Sequence, residues 1–385
     1  MIQKVFAAIA ELEETYARVW EDVCNIESPS FDKEGVDRVG QYFMEIARRH
    51  GWEIEVLPQA RFGDAVRITM NPQAAGTLVA LSGHMDTVHP VGSFGCPAAR
   101  REGNVLYGPG ALDCKGGVVA GFLAMEALQR CGFTDRPVMM LLQSNEEVGS
   151  GIQNKECIRW ICQQAAEAVA FLNLEGRETE YGQKATMSRK GIAGFRLKIT
   201  GIEAHASYCA REGASAIAEA AHKVLEIETM KENGGITCNC GLISGGTATN
   251  TVPGNCEIRV DVRFSTQEEL ERATAFLQEI ADRVHIPGSS CVMEHTNLRP
   301  AMELTERNLS LLERANALFE ANGLQTMAIG RRSGGSDAAD VTLYGIPCID
   351  SIGVAGDRGH SPEERGYIES LGESARRIAA IVCGI

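Results

Sequence analysis

Apolar residues Phe6, Ile9, Leu12, Tyr16, Val19 and Val23 recur every three or four positions at the start of the chain, the stripe of an amphipathic helix. Val36, Val39, Phe43 and Ile46 repeat the spacing, and Gly51 then offers a natural helix stop. Three β-rich runs follow at 52–57, 65–70 and 77–82, bounded by Pro, Asn and Gly, and predict short strands. Beyond a helix at 116–131, the apolar runs 137–143 and 168–174 read as strands covered on both faces. Helices alternating with such strands predict an α/β fold whose mixed sheet contains parallel pairs.

Between about 190 and 298 the pattern changes to strand 194–200, helix 214–230, strands 237–244 and 256–264, helix 267–284 and strand 290–297. That β-α-β-β-α-β order is the ferredoxin-like arrangement, a unit able to stand as its own domain. The α/β pattern then resumes with a helix at 308–322 and an apolar strand at 347–352. We therefore expect a large α/β domain formed by residues 1–189 and 299–385, with a smaller domain, 190–298, inserted into it. A length of 385 residues exceeds what one hydrophobic core usually serves, in keeping with two domains.

Charge and cysteine usage narrow the partners. A formal net charge of -14 gives no long-range attraction to nucleic acid or an anionic membrane surface, so neither is expected as a partner. The 13 Cys are odd in number and lack paired C-x-x-C spacings, which points to packed, reduced thiols in a cytoplasm rather than disulfides or a zinc ribbon. The apolar patch at 5–10 runs straight into Glu11, Glu13 and Glu14 with no small-residue cleavage pattern. No segment is long and apolar enough to cross a bilayer.

Candidate chemistry gathers where strands end. Run 77–82 delivers Gly83-His84-Met85-Asp86-Thr87, in which His84 and Asp86 share a face of an extended backbone. His84 can then bind a metal through one ring nitrogen while Asp86 accepts the proton on the other; a plain surface loop is the bland alternative. The turn Gly108-Pro109-Gly110-Ala111-Leu112-Asp113-Cys114-Lys115-Gly116-Gly117 lacks the spacing and terminal Lys-Ser/Thr of a phosphate loop, and its Asp113 is suited to bridging two cations. Cys114 reads as a packed thiol, with a soft metal ligand as the alternative. Asn145-Glu146-Glu147-Val148-Gly149-Ser150 sets two carboxylates at the end of an apolar strand, either a solvated acidic turn or a site where a cation offsets the burial of charge. Leu174-Glu175-Gly176 and Gly359-His360-Ser361-Pro362-Glu363 add a carboxylate and an imidazole beyond two further strands, where ligands of open α/β sheets bind. A set of imidazoles and carboxylates without thiolate leaves a metal Lewis acidic, as catalysis needs.

The His84-x-Asp86 pair, the Gly108–Gly117 turn, the Asn145–Ser150 step and Gly359-His360-Ser361, four motifs in this order, resemble the zinc peptidase family that includes glutamate carboxypeptidase, acetylornithine deacetylase, succinyl-diaminopimelate desuccinylase, aminoacylase and tripeptidase. The likeness spans nearly the whole chain. Gly334-Gly335-Ser336-Asp337-Ala338-Ala339 and Asp261-Val262-Arg263 draw it towards the glutamate carboxypeptidase branch. The resemblance implies two zinc ions, with cobalt or manganese as alternatives. One would be held by His84 and Glu175, the other by Glu147 and His360, and Asp113 would bridge them. It also implies Glu146 as general base, Asp86 as the residue orienting His84, and residues 190–298 as a lid through which a homodimer forms. His205, in Ala204-His205-Ala206, would support the oxyanion, and Asn250 and Arg263 would contact substrate, Arg263 gripping a carboxylate or else closing a strand-end salt bridge. Two features depart from the family pattern: Ser207-Tyr208-Cys209-Ala210 stands where the branch has small residues and a Pro, and His89 is an extra imidazole without a family role, read as structural.

The expected function is therefore metal-assisted hydrolysis of an amide or peptide bond in a small substrate or short peptide carrying a free carboxylate, as in carboxypeptidases. N-acyl amino acid deacylation is the alternative within the family, and a non-catalytic scaffold the alternative from another class.

Overall fold

The computed structural model describes residues 1–149, 155–209 and 211–385, so Ser150 and Ala210 of the motifs above lie outside the described residues. The chain divides into two compact units, one made of Met1–Met187, Leu304–Arg331 and Ser336–Ile385, the other of Ser188–Glu303 and Arg332–Gly335.

The first unit is built on a six-stranded sheet with the order Glu53–Leu57, Ala65–Met70, Val138–Gln143, Val79–His84, Ala170–Asn173, Cys348–Ile349. The first three strands pair antiparallel, and the last four run parallel. Every residue of Val79–His84, Val138–Gln143 and Ala170–Asn173 is buried, which explains why each is apolar until its C-terminal end: helices cover both faces of a strand that must turn no side towards water. Helices Ile2–Asn25, Lys115–Arg130 and Glu369–Gly384 pack on one another, and Phe43 of Lys33–His50 stacks on Phe122 at 4.7 Å. Asp32 caps the start of Lys33–His50 by accepting from the Gly35 amide, and Gly51 ends that helix at φ 69.

The strand expected at 77–82 lies two residues later, at Val79–His84, because it continues in register with its parallel neighbour until His84 faces Gln143. His84 is thus the last residue of the strand rather than one beyond it. A second, five-stranded sheet of two- and three-residue strands (Arg100–Glu102, Val105–Tyr107, Arg365–Tyr367, Ala355–Asp357 and Arg177–Glu178) gave no signal in the apolar pattern, being too short to show an alternation.

In the second unit the strands Gly191–Thr200, Ile236–Gly245, Asn255–Phe264 and Ser290–Arg299 form an antiparallel sheet with Gly191–Thr200 between Asn255–Phe264 and Ser290–Arg299. The helices Ala216–Ile227 and Gln267–Asp282 pack against its strands, and Phe195, Leu197, Ile258, Val260, Val262, Leu277 and Ile280 form the core between them.

Candidate metal centre

Five side chains of the first unit converge. His84 Nδ1 lies 2.9 Å from the backbone carbonyl of Asp86, which can only accept, so Nδ1 carries a proton and Nε2 is the nitrogen turned towards the neighbouring carboxylates. Nε2 stands 2.9 Å from Asp113 Oδ1 and 3.7 Å from Glu175 Oε1. The other oxygen of Asp113, Oδ2, is 3.2 Å from His360 Nε2, which is also 3.2 Å from Glu147 Oε2. Asp113 thus offers one oxygen to each imidazole, and each imidazole has one further carboxylate beside it.

Local structure explains how each group arrives. Glu175 follows the buried strand Ala170–Asn173, and its backbone carbonyl accepts from Gly353 N at 3.0 Å. Lys115–Arg130 comes so close to that strand end that a Cβ on Gly117 would meet Leu174 O at 1.8 Å, which is why this turn requires glycine. His360 is held in left-handed backbone at φ 62, an uncommon state for a residue with a side chain, found mostly where surrounding structure dictates it.

Asp86 is fully buried, and its carboxylate does more than face His84, whose Nδ1 is 3.5 Å from Oδ1. Oδ1 accepts from the Glu146 amide at 3.0 Å; Oδ2 accepts from the Glu147 amide at 3.1 Å and from the Ser30 hydroxyl at 2.6 Å. One carboxylate therefore fixes the backbone of both glutamates.

The electrostatics are those of a cation site. Burial works against the His84 imidazolium, yet Cys114, Asp113 and Asp86 outweigh it and hold the ring well above its ordinary pKa. Contacts with Asp113 and Glu147 raise His360 to about 11. Burial also opposes ionisation of Asp113, but the two imidazoles keep its carboxyl well below its usual range, whereas burial and the charge of Asp113 push Glu147 up to about 8. Three carboxylates and two imidazole lone pairs in this space need protons or cations between them. Atoms bound at ~2.0–2.1 Å to a tetrahedral zinc stand about 3.3 Å apart, and the separations here, 2.9 to 3.7 Å, bracket that value. His84, Asp113 and Glu147 also form a compact potential ligand group, with atoms within 4.8 Å of one another, as do His84, Cys114 and Glu175. Cys114 nevertheless behaves as a packed thiol: its sulfur accepts from the His84 amide at 3.1 Å, and burial pushes it up to about 12. The donor set fits a zinc pair.

The model of the peptidase family M20/M25/M40 matches residues 80–383. The chain belongs to that family. Like other M20/M25/M40 peptidases it is a hydrolase of the metal-dependent kind. It is 27% identical over 369 residues to carboxypeptidase G2 of Pseudomonas sp. (strain RS-16), covering 95% of this chain and 87% of that protein. A succinyl-diaminopimelate desuccinylase of Dinoroseobacter shibae is 24% identical over 316 residues, covering 75% of this chain and 79% of the relative. The crystal structure of aminopeptidase PepT from Bacillus cereus shares the fold, with a TM-score of 0.80 at 20% identity over 96% of this chain and 98% of that one. No helix among the described residues is long and apolar enough to cross a membrane.

The other expected site residues lie in the second unit. His205 is exposed and pairs with Thr251 across a two-residue ladder; its Nδ1 accepts from the Ser207 amide at 3.2 Å. Asn250 adjoins it, its carbonyl accepting from the Ala206 amide at 2.9 Å. Arg263 is at the other end of its strand: it pairs with Ile192, while Asn255, eight residues earlier and close to Asn250 in the chain, pairs with Thr200, about 26 Å away at ~3.3 Å per residue. Its guanidinium makes a two-point ion pair with Asp261, at 2.7 and 3.3 Å. Sequence reasoning missed Ser30, which no motif marks, and Glu364, which directly follows the Gly359–Glu363 motif.

Proposed function

We propose that the chain is a di-zinc hydrolase of carboxypeptidase type that cleaves an amide or peptide bond in a small substrate carrying a free carboxylate. The observation that carries this reading is Asp113, whose two carboxylate oxygens each face a different imidazole, 2.9 Å from His84 and 3.2 Å from His360. In this reading His84 and Glu175 hold one ion, Glu147 and His360 the other, and Asp113 both. Bound there, the ions supply Lewis acidity at the scissile carbonyl and bring the pKa of a water towards ~7. Glu146 takes a proton from that water and passes it to the departing amine, with its backbone fixed by Asp86. His205 supports the oxyanion and Asn250 beside it contacts the substrate, Arg263 contacts the substrate from the other subunit of the homodimer, and residues 190–298 act as lid and homodimer surface. The protein works in a cytoplasm, in keeping with thirteen cysteines that are all free.

Deacylation of N-acyl amino acids is the second reading, favoured by the likeness to a succinyl-diaminopimelate desuccinylase. Metal analysis of the purified protein, followed by turnover of acyl amino acids against dipeptides and tripeptides with zinc, cobalt or manganese supplied, separates the two. Two metals per chain and faster cleavage of peptides support the first reading. A protein that binds no divalent metal refutes both. Glu146→Gln is expected to abolish turnover with both metals retained, whereas loss of a metal would mean that Glu146 and Glu147 exchange roles.

A further inference from the structure

One buried acid and one buried imidazole near the centre have no part in the chemistry above. Glu364 is fully buried, four residues after His360. Its Oε1 accepts from two consecutive amides, Leu112 N at 2.8 Å and Asp113 N at 2.9 Å, and its backbone carbonyl accepts from Gly108 N at 3.2 Å. Oε2 meets His89 Nε2 at 2.6 Å. His89 lies three residues after Asp86, is itself buried, and packs edge-on against Phe94 at 4.9 Å.

A single carboxylate thus ties together three loops: the one that follows His84 and Asp86, the glycine turn that carries Asp113, and the segment that carries His360. The tie lands on the amide of Asp113 itself. Asp113 can face two imidazoles at once only if its backbone is fixed, because a rotation at that residue would swing one oxygen away from its partner. We propose that Glu364, oriented by His89, is the positioning residue of the metal centre, setting the bridging carboxylate and the spacing of the two histidine loops. The proposal rests on the two-metal reading of the site, and groups that orient metal ligands from outside typically change metal affinity or activity 10–100-fold when lost.

The test uses the full-length, metal-loaded protein and the variants Glu364→Ala, Glu364→Gln and His89→Phe; His89→Phe keeps the ring that packs on Phe94. Retention of zinc against a chelator, the visible d–d spectrum of the cobalt(II)-loaded form, kcat and KM, and circular dichroism of the metal-free protein are measured. Glu364→Ala and His89→Phe should hold at least one metal ~10–100-fold more weakly, alter the cobalt spectrum and lower kcat more than they raise KM. Glu364→Gln returns an oxygen acceptor of the same shape and should restore part of the affinity. A folded Glu364→Ala or His89→Phe with wild-type metal retention and an unchanged cobalt spectrum overturns the proposal. If Glu364→Ala does not fold, His89→Phe decides alone. Failure of both to fold even with zinc present also overturns it, since the pair would then serve the fold and not the site. A wild-type protein that binds no metal would instead refute the reading of the site itself.

Discussion

Asp86→Asn isolates the part of the site that holds the two glutamates. The wild-type carboxylate accepts from the Glu146 amide through Oδ1 and from the Glu147 amide and the Ser30 hydroxyl through Oδ2. Asparagine has the same shape but one acceptor end. With its NH2 in place of Oδ2, the Ser30 hydroxyl can rotate and accept, but the Glu147 amide faces a second donor. With the NH2 in place of Oδ1, the Glu146 amide does. Either way one buried amide loses its acceptor, which destabilises the fold by about 1–3 kcal/mol. For a unit of this size that corresponds to a melting point lowered by ~2–10 °C. The orphaned amide belongs to either the proposed base or a proposed metal ligand, so kcat/KM should also fall by ~10–100-fold. Thermal melts and steady-state kinetics on the same preparation read both. An Asp86→Asn protein that melts and turns over like the wild type would refute the reasoning, because no placement of the amide satisfies all three donors.

Gly117→Ala should be among the most damaging small substitutions: its Cβ would lie 1.8 Å from Leu174 O, so helix and strand end must part by about an ångström, enough to lower activity ~100-fold and release the metal proposed to bind Glu175. Activity and zinc content check this, and a fully loaded, active variant would refute it. His205→Ala should fold and keep its metals yet lose about a hundredfold in kcat, the usual loss of one oxyanion donor (~3 kcal/mol); unchanged kcat would remove His205 from the mechanism. In the second unit Glu219 is buried, which opposes its ionisation, but Lys223 at 3.0 Å and the amides of Ile286 and His285 outweigh burial and lower its carboxyl below the ordinary 4.5. A depressed acid stabilises the fold fully above its unfolded value and loses that contribution as pH falls through its folded value. The gap in melting point between wild type and Glu219→Gln should therefore be present at pH 7 and shrink below pH ~4.5; a gap that widens on acidification would refute the assignment.

The long elements were legible because each obeys a single period. Strands such as Val138–Gln143 are apolar up to their last residue since both faces are covered, and Lys33–His50 carries its stop signal in Gly51. The short strands of the second sheet were not, since two or three residues cannot reveal an alternation. Within the site, the motifs led to Asp113 and the four groups around it because metal chemistry restricts the residue types. The supports were harder to see. Ser30 is a serine among many until the fold brings it to 2.6 Å from Asp86, and the Glu364 carboxylate reaches amides more than 250 positions earlier in the chain. His205 and Asn250 sit side by side, but the distance to Arg263 depends on strand register, which spacing along the sequence does not encode.

The order of the main sheet has a practical consequence for anyone cutting this protein down. The family match begins at residue 80, but Ala65–Met70 lies on the open side of Val138–Gln143, the strand that leads to Glu146 and Glu147. A fragment starting at residue 80 would leave a strand of five apolar residues and Gln143 with unpaired amides and carbonyls along that border, an invitation to self-association. It would also lack the serine that steadies Asp86. The first 79 residues are therefore an essential flank of the catalytic framework, and shortened forms should precipitate before they can be assayed.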